Sequence, residues 1–372
     1  MKTVLVLGAT GHFGARISRR LAGDPRIRTV LSSRSLDAST ELAKRIGKSA
    51  RDANLRPAAL DLEASSFEAD LAALEPHVVI HTAGPYQGQD YRVAKACLAC
   101  GCDYIDLADG RAFVEEFARL GDEAERKGVL LVFGASTLPG LSSAVVSAVS
   151  QEFSEITGIE TVIAPAHRTP RGRGTIAAVM SYCGKPFLVL EDGAWRTRYG
   201  WQDLRLRRYP GLGRRFAGAC DVPDLFLLPA AYPALRTATF HASLEAFWEQ
   251  LSLWLMAAMA RIGLVGDWSR YAGGMAWLGK RLQGLGSDRG GMFMSIRGLD
   301  RDGKDRTVDW NLRAGSNHGP EIPCTPALVL VRKRLRGELP VRGAMPCMAL
   351  FTLAEFAAEL EGFDVSWSFE RR

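Results

Sequence analysis

The stretch Thr3-Val4-Leu5-Val6-Leu7-Gly8-Ala9-Thr10-Gly11-His12-Phe13-Gly14 decides the fold. A mostly apolar run ends in three glycines spaced for a strand-to-helix turn, G-x-x-G-x-x-G. Gly11 and Gly14 keep the spacing of the last two glycines of the dinucleotide fingerprint G-x-G-x-x-G, while the first is moved back to Gly8. In such a turn, backbone N–H groups approach a pyrophosphate and a helix N-terminus faces its negative charge. Phe13, Ile17 and Leu21 follow at i, i+4 and i+8, one apolar helix face. The reading is a β-strand, a phosphate-cradling turn of Gly8, Ala9, Thr10, Gly11, His12, Phe13 and Gly14, and a helix; an ordinary βα turn is the alternative.

The second strand, Thr29 to Ser32, is followed by Ser33-Arg34-Ser35. An NAD site commonly carries Asp or Glu at this point, to accept from the ribose hydroxyls. Here a hydroxyl and a guanidinium stand instead, and Asp37 comes only in the following helix. Arg34 suits a 2′-phosphate through charge-assisted hydrogen bonds. The expected cofactor is therefore NADP(H).

Working outward, strands and helices alternate with short connections through the first 150 residues or so. Pro57 to Leu62 reads as a third strand, with Asp61 and Leu62 at the adenine edge. His77 to His81 reads as a fourth, almost wholly apolar between its histidines, as a strand covered on both faces should be. Tyr104 to Leu107 and Val129 to Phe133 read as strands five and six. This pattern predicts an α/β chain: an N-terminal Rossmann doubly wound parallel sheet over 1–153, then a second α+β substrate domain over 154–325. The last segment, 326–372, reads as helices and a tail that pack back on the first domain. After Thr157 to Ala164, read as a strand, helical stretches are expected to alternate with Gly/Arg-rich loops. Phe293 to Leu299 and Thr307 to Arg313 read as a hairpin around Asp302-Gly303.

The chain has 372 residues, 47% hydrophobic and 24% charged, with a formal net charge of +6. Those are ordinary globular proportions, with enough length for two domains. Nothing in it matches a nucleic-acid-binding module. The arginines from Arg196 to Arg215 read as a solvated face or a patch for an anionic partner. Seven cysteines, an odd number, in a sequence without a recognisable signal peptide argue for free thiols and a cytoplasmic protein. Cys97-x-x-Cys100-x-Cys102 lacks a partner at zinc-site spacing, so no metal is expected. The apolar stretch Leu251 to Ala260 is bounded by Glu249 and Arg261 and is too short to span a bilayer. It reads first as a buried helix, then as a dimer interface, and least as a helix lying on a bilayer. A homodimer is the expected assembly; a peripheral membrane contact is the less favoured alternative.

His81-Thr82-Ala83-Gly84-Pro85-Tyr86, then Val93-Ala94-Lys95-Ala96-Cys97 and Gly101-Cys102-Asp103-Tyr104-Ile105-Asp106-Leu107-Ala108-Asp109-Gly110, resemble the saccharopine dehydrogenase-like oxidoreductases. Leu138-Pro139-Gly140-Leu141-Ser142, His318-Gly319-Pro320-Glu321-Ile322-Pro323-Cys324 and Gly343-Ala344-Met345-Pro346-Cys347 extend the likeness towards the C-terminus. The resemblance implies NAD(P)-linked hydride transfer to or from a C=N, C=O or C=C bond of a small-molecule or acyl substrate. By position it places Ala83, Gly84, Pro85 and Tyr86 on the nicotinamide side.

Proton-transfer candidates come from strand ends, where such sheets place their ligands. They are Tyr86, Asp109 and, from the later loop, His318; Asp106, Ser136 and Thr137 stand at similar positions. Tyr86 equally suits packing, Asp109 a helix cap, and His318 a structural role. Arg171 and Arg173, in a glycine-loosened basic loop, are candidates for a substrate carboxylate or phosphate. The alternative function is an NADP-binding sensor or scaffold without turnover, associated with a lipid surface.

Overall fold

The computed structural model describes residues 1–372, with the side chain of Arg173 outside the description. The chain divides into two compact units, Met1–Leu141 with Glu321–Glu359, and Ser142–Pro320 with Leu360–Arg372.

The first unit carries β1 (Lys2–Leu7), β2 (Ile27–Ser33), β3 (Asn54–Ala59), β4 (Val78–His81), β5 (Asp103–Asp106) and β6 (Leu130–Phe133). The second carries β7 (Glu155–Ala164), β8 (Pro186–Glu191), β9 (Ala194–Tyr199), β10 (Arg205–Tyr209), β11 (Gly213–Ala219), β12 (Thr237–Ala242), β13 (Gly290–Leu299) and β14 (Asp305–Ala314). The chain then returns to the first unit for β15 (Gly343–Pro346) and ends in the second with β16 (Val365–Arg371).

The first sheet has seven strands in the order β15-β6-β5-β4-β1-β2-β3. Every pairing in it is parallel. The order reverses at β1 and β4, and that switch point is where a doubly wound sheet opens a ligand crevice. Val4, Leu5, Val6, Val79 and Ile80 have no exposed surface, because crossover helices cover both faces. Each such side chain contributes about 2 kcal/mol by leaving water. The helix Gly14–Leu21 turns Ile17 and Leu21 inward, as the spacing predicts. Returning late in the sequence, β15 adds to the edge of β6 in register Gly343↔Leu130, and the helix Thr325–Arg336 buries Ala327, Leu328 and Val331.

The second unit is built on a nine-stranded sheet whose main path is β10-β11-β12-β7-β13-β14-β16, with β8 joined to β12 and β9. The expected hairpin is present as β13 and β14, paired antiparallel from Gly290↔Ala314 to Leu299↔Asp305.

Three expectations are corrected here. Residues 186–219, expected as helices and loops, form β8 to β11. Most of their arginines lie on solvent-facing sides and hide the period-2 signal; Arg207, for example, is exposed and pairs with Glu160 at 2.7 Å, whereas Arg215 is buried. The tail Val365–Arg371, expected beside the first domain, instead pairs antiparallel with β14 from Ala314↔Val365 to Val308↔Arg371. The apolar helix, Phe247–Arg261, is not a buried one: it buries Gln250, Leu253 and Ala257 and leaves Trp248 and Leu255 about half exposed.

Among the described residues no helix is long and apolar enough to cross a membrane, and no cluster of three or more His, Cys, Asp or Glu could hold a metal ion.

Candidate nucleotide-binding site

β1 ends at Leu7, and Gly8 takes φ +80°, a conformation that only glycine adopts without strain. A Cβ on Gly8 would sit 3.0 Å from the Ala83 nitrogen, so the turn lies directly against the backbone that follows β4. Gly14 is tighter still: a Cβ there would lie 2.3 Å from the Gly8 carbonyl oxygen and 2.7 Å from Thr82 Oγ1. These two glycines let the turn fold onto itself and onto the end of β4.

The N–H groups of Gly8 and Ala9 donate to the Ser32 carbonyl at 3.1 and 2.8 Å, and that of Gly11 donates to the Gly8 carbonyl at 2.9 Å. The N–H groups of Thr10, His12 and Phe13 have no acceptor among the described residues. They stand at the start of the helix Gly14–Leu21, whose dipole adds a partial positive charge at that end. A set of free amides at a helix N-terminus is chemically suited to a diphosphate. The residues present thus fit the dinucleotide that the sequence implies.

His12 stays neutral at physiological pH, because burial and the neighbouring Arg16 push its pKa down to about 4. Arg16 Nη1 donates to the His12 carbonyl at 2.7 Å, while its Nε lies 3.1 Å from Glu321 Oε1. Glu321 also lies 3.7 Å from Arg20, which donates to Thr325 Oγ1 at 2.9 Å. The C-terminal segment therefore grips the first helix from behind the turn. The sequence reading missed Arg16 and Glu321 as functional residues. Glu321 lay in a quoted motif, but no local pattern could pair it with a residue some three hundred positions earlier.

At the other edge, Ser33 Oγ is held within its own loop by the Ser35 carbonyl and Ser39 Oγ, at 2.8 and 2.9 Å. Arg34 is exposed and makes no hydrogen bond or ion pair among the described residues. The neighbouring loop is tied to this one through the Leu60 N–H, which donates to the Ser33 carbonyl at 2.9 Å. Asp61 caps its own turn by accepting from the Glu63 N–H at 3.1 Å, and the Leu62 carbonyl accepts from Arg92 at 3.0 Å.

After β4, the Ala83-Gly84-Pro85-Tyr86 turn is pinned by Gln89 Nε2, which donates to the carbonyls of Ala83 and Pro85 at 2.8 and 2.7 Å. Tyr86 is buried. Its hydroxyl donates to the His81 carbonyl at 2.6 Å and accepts from the Leu107 N–H at 3.3 Å. Burial, with Asp106 nearby, raises its pKa well above 10. Both positions of the phenol are used by backbone, so the structure places Tyr86 as a strut between strand ends.

Beneath it runs a buried polar chain. Tyr104 Oη donates to Asp106 Oδ2 at 2.9 Å and lies 3.0 Å from His81 Nδ1. Asp106 Oδ1 accepts from the N–H groups of Ala108 and Gly134, at 2.9 and 2.8 Å. Burial outweighs these bonds and lifts the Asp106 pKa to about 7, while it lowers that of His81 to about 4. Asp106 thus fixes the turns that follow β5 and β6. His81 and Tyr104 were not singled out from the sequence, although a histidine ending a wholly buried strand is the signal that could have found them.

The other candidates separate. Asp109 is exposed and accepts from Gln87 Nε2 at 3.2 Å. His318 belongs to the second unit, where its Nδ1 accepts from the Asp364 N–H at 2.8 Å. Arg171, also in the second unit, faces an internal partner, Glu249, at 3.6 Å. Arg173 opens the helix Arg173–Ser181 of the second unit, and its side chain lies outside the description.

The parallel sheet, the switch point and the free amides define a dinucleotide-binding α/β protein. The family model described as the saccharopine dehydrogenase NADP binding domain matches residues 4–132. The sequence likeness to that family is confined to residues 4–132, and beyond them the likeness is one of fold. Apo saccharopine dehydrogenase (L-Glu forming) from Saccharomyces cerevisiae superposes with a TM-score of 0.68 at 16% identity, covering 100% of both chains. GenD2 from gentamicin A biosynthesis, in complex with NAD, gives a TM-score of 0.38 at 13% identity, over 83% of this chain and 72% of its own. No curated protein matches the sequence.

Proposed function

We propose that this protein is an NADP(H)-dependent oxidoreductase that transfers a hydride to or from a C=N, C=O or C=C bond of a small or acyl substrate. The observation that carries the reading is the pairing of free Thr10, His12 and Phe13 amides with an exposed, unpaired Arg34 after β2. The first would hold the diphosphate, and the second the 2′-phosphate of the adenosine. When bound, the nicotinamide supplies or accepts the hydride. The protein's part is to hold the ring over the crevice at the strand ends and to supply or remove the accompanying proton.

For that proton, Asp109 is the favoured group of the first unit. It follows β5, is exposed, and takes a single side-chain hydrogen bond from Gln87. Tyr86 is assigned to positioning instead. The test is NADPH oxidation against a panel of imines, aldehydes and enoyl thioesters, with Asp109→Asn beside the parent protein. Turnover in the parent that falls at least about a hundredfold in the variant, with NADPH affinity kept, supports both assignments. Tight NADPH binding with no turnover across the panel would favour the sensor or scaffold reading.

A further inference from the structure

The registers of the first sheet set a buried carboxyl group in line with the nucleotide turn. Leu7, the last residue before Gly8, pairs with His81, and His81 pairs with Asp106. Asp106 therefore stands two strand spacings from the mouth of the turn, about 10 Å. Asp106 has no exposed surface. Its Oδ1 is filled by the N–H groups of Ala108 and Gly134, so a proton on this carboxyl has only Oδ2 to occupy. From Oδ2 it faces Tyr104 Oη at 2.9 Å, and the Tyr104 proton then faces His81 Nδ1 at 3.0 Å. With the carboxyl ionised the chain reverses: Tyr104 donates to Oδ2, and the His81 Nδ1–H donates to Tyr104. The same heavy-atom positions thus serve both charge states.

The ionisable groups around Asp106 come from every neighbouring element. They are Tyr104 on its own strand, His81 ending β4, Tyr86 in the turn after β4, Tyr91 at the cap of the helix that follows, Asp109 after β5 and Cys347 after β15. None of them is a cation at neutral pH, since burial keeps His81 uncharged and the phenols and the thiol protonated. A buried carboxyl group in such surroundings holds its proton up to neutral pH, and a negative charge arriving nearby tightens that hold. At about 10 Å in a protein interior, one unit of negative charge raises proton affinity roughly tenfold. A bound diphosphate carries two such charges, offset in part by the helix dipole that receives it.

We infer that Asp106 takes up a proton from solvent when a dinucleotide diphosphate occupies the Gly8–Gly14 turn, and that ionisation of Asp106 in turn weakens that binding. The two effects are equal in size by linkage. The inference rests on the cofactor reading and adds to it a regulation by pH, with His81 and Tyr104 as the positioning residues that accommodate the proton.

The experiment is calorimetric titration of the full chain with NADPH in two buffers of different ionisation enthalpy, which counts the protons exchanged, with Asp106→Asn beside the parent. The carboxyl titrates at about 7 in the free protein. A tenfold gain in proton affinity moves it to about 8 in the complex, so at a pH of about 7.5 the parent should take up about half a proton more than the variant. The parent's Kd for NADPH should rise about fivefold between a pH of about 7 and one of about 9, and the variant's should stay within about twofold. Infrared difference spectra of the parent, bound minus free, read the same proton without any variant, as a gained protonated-carboxyl band. NADPH that binds with no such band and with a Kd flat over that range would overturn the inference and leave the cofactor reading standing. An absence of binding at millimolar NADPH would overturn both.

Discussion

Glu321 Oε1 lies 3.1 Å from Arg16 Nε, and through that contact a residue near the C-terminus holds the helix that opens the nucleotide turn. The same guanidinium donates to the His12 carbonyl, so the pair sets the pitch of the loop that carries the free amides. Arg20 keeps a second acid, Glu359, whatever happens at Glu321. Glu321→Gln should therefore loosen the turn without unfolding the unit. The expected loss is about 1 kcal/mol of cofactor binding, roughly fivefold in Kd, with a small shift in thermal midpoint. Fluorescence titration with NADPH checks the first, and a melting curve the second.

Gly14 is the least replaceable position of the turn. A Cβ would lie 2.3 Å from a carbonyl oxygen, and neither the Gly8 backbone nor the packed Thr82 can retreat far. Gly14→Ala is expected to cost about 1–3 kcal/mol of stability and to abolish measurable NADPH binding. A variant with unchanged melting and affinity would show that the turn is looser than the geometry indicates.

Tyr86 distinguishes support from catalysis. Tyr86→Phe leaves the His81 carbonyl without its 2.6 Å donor and the Leu107 N–H without its acceptor. The expected outcome is about 1–3 kcal/mol of lost stability with turnover within a few-fold of the parent. A loss of turnover of more than about a hundredfold at unchanged stability would make the phenol a proton donor instead.

Asp106 makes the stability depend on pH in a defined direction. Its folded pKa, about 7, lies above the unfolded value of 3.8. Between those values the unfolded chain has released the proton and the folded one still holds it. The contribution is thus full below about pH 4, falls as pH rises towards 7, and is flat above, with an upper limit of ~4 kcal/mol. Asp106→Asn removes this dependence while keeping an oxygen for the Ala108 and Gly134 amides. Denaturant titrations at pH 5 and pH 8 should show the parent losing more stability than the variant as pH rises.

The first unit was legible because its signals are local. The turn from Gly8 to Gly14, the buried run of β4 and the Gly84-Pro85-Tyr86 turn each declare themselves within a dozen residues. What the sequence hid depends on distant partners. β15 is Gly-Ala-Met-Pro, with little strand propensity of its own, and exists because it can pair with β6. In β10, Arg-Leu-Arg-Arg-Tyr keeps mainly its tyrosine buried, so no alternation of apolar and polar residues announces a strand. The helix Phe247–Arg261 failed for the opposite reason: its sequence is that of a core helix, and only the structure shows which half of it faces water. The position of Arg34 just after β2 was readable from the sequence, whereas the tie between Arg16 and Glu321 required the folded chain.

The central claim is that the guanidinium after β2 selects the phosphorylated dinucleotide, and titration of the parent and Arg34→Ala with NADPH and NADH tests it most directly. The account predicts that the substitution weakens NADPH by more than about tenfold, the worth of a charge-assisted contact, and leaves NADH nearly unchanged. Equal losses for both coenzymes, or a parent that binds neither, would contradict it.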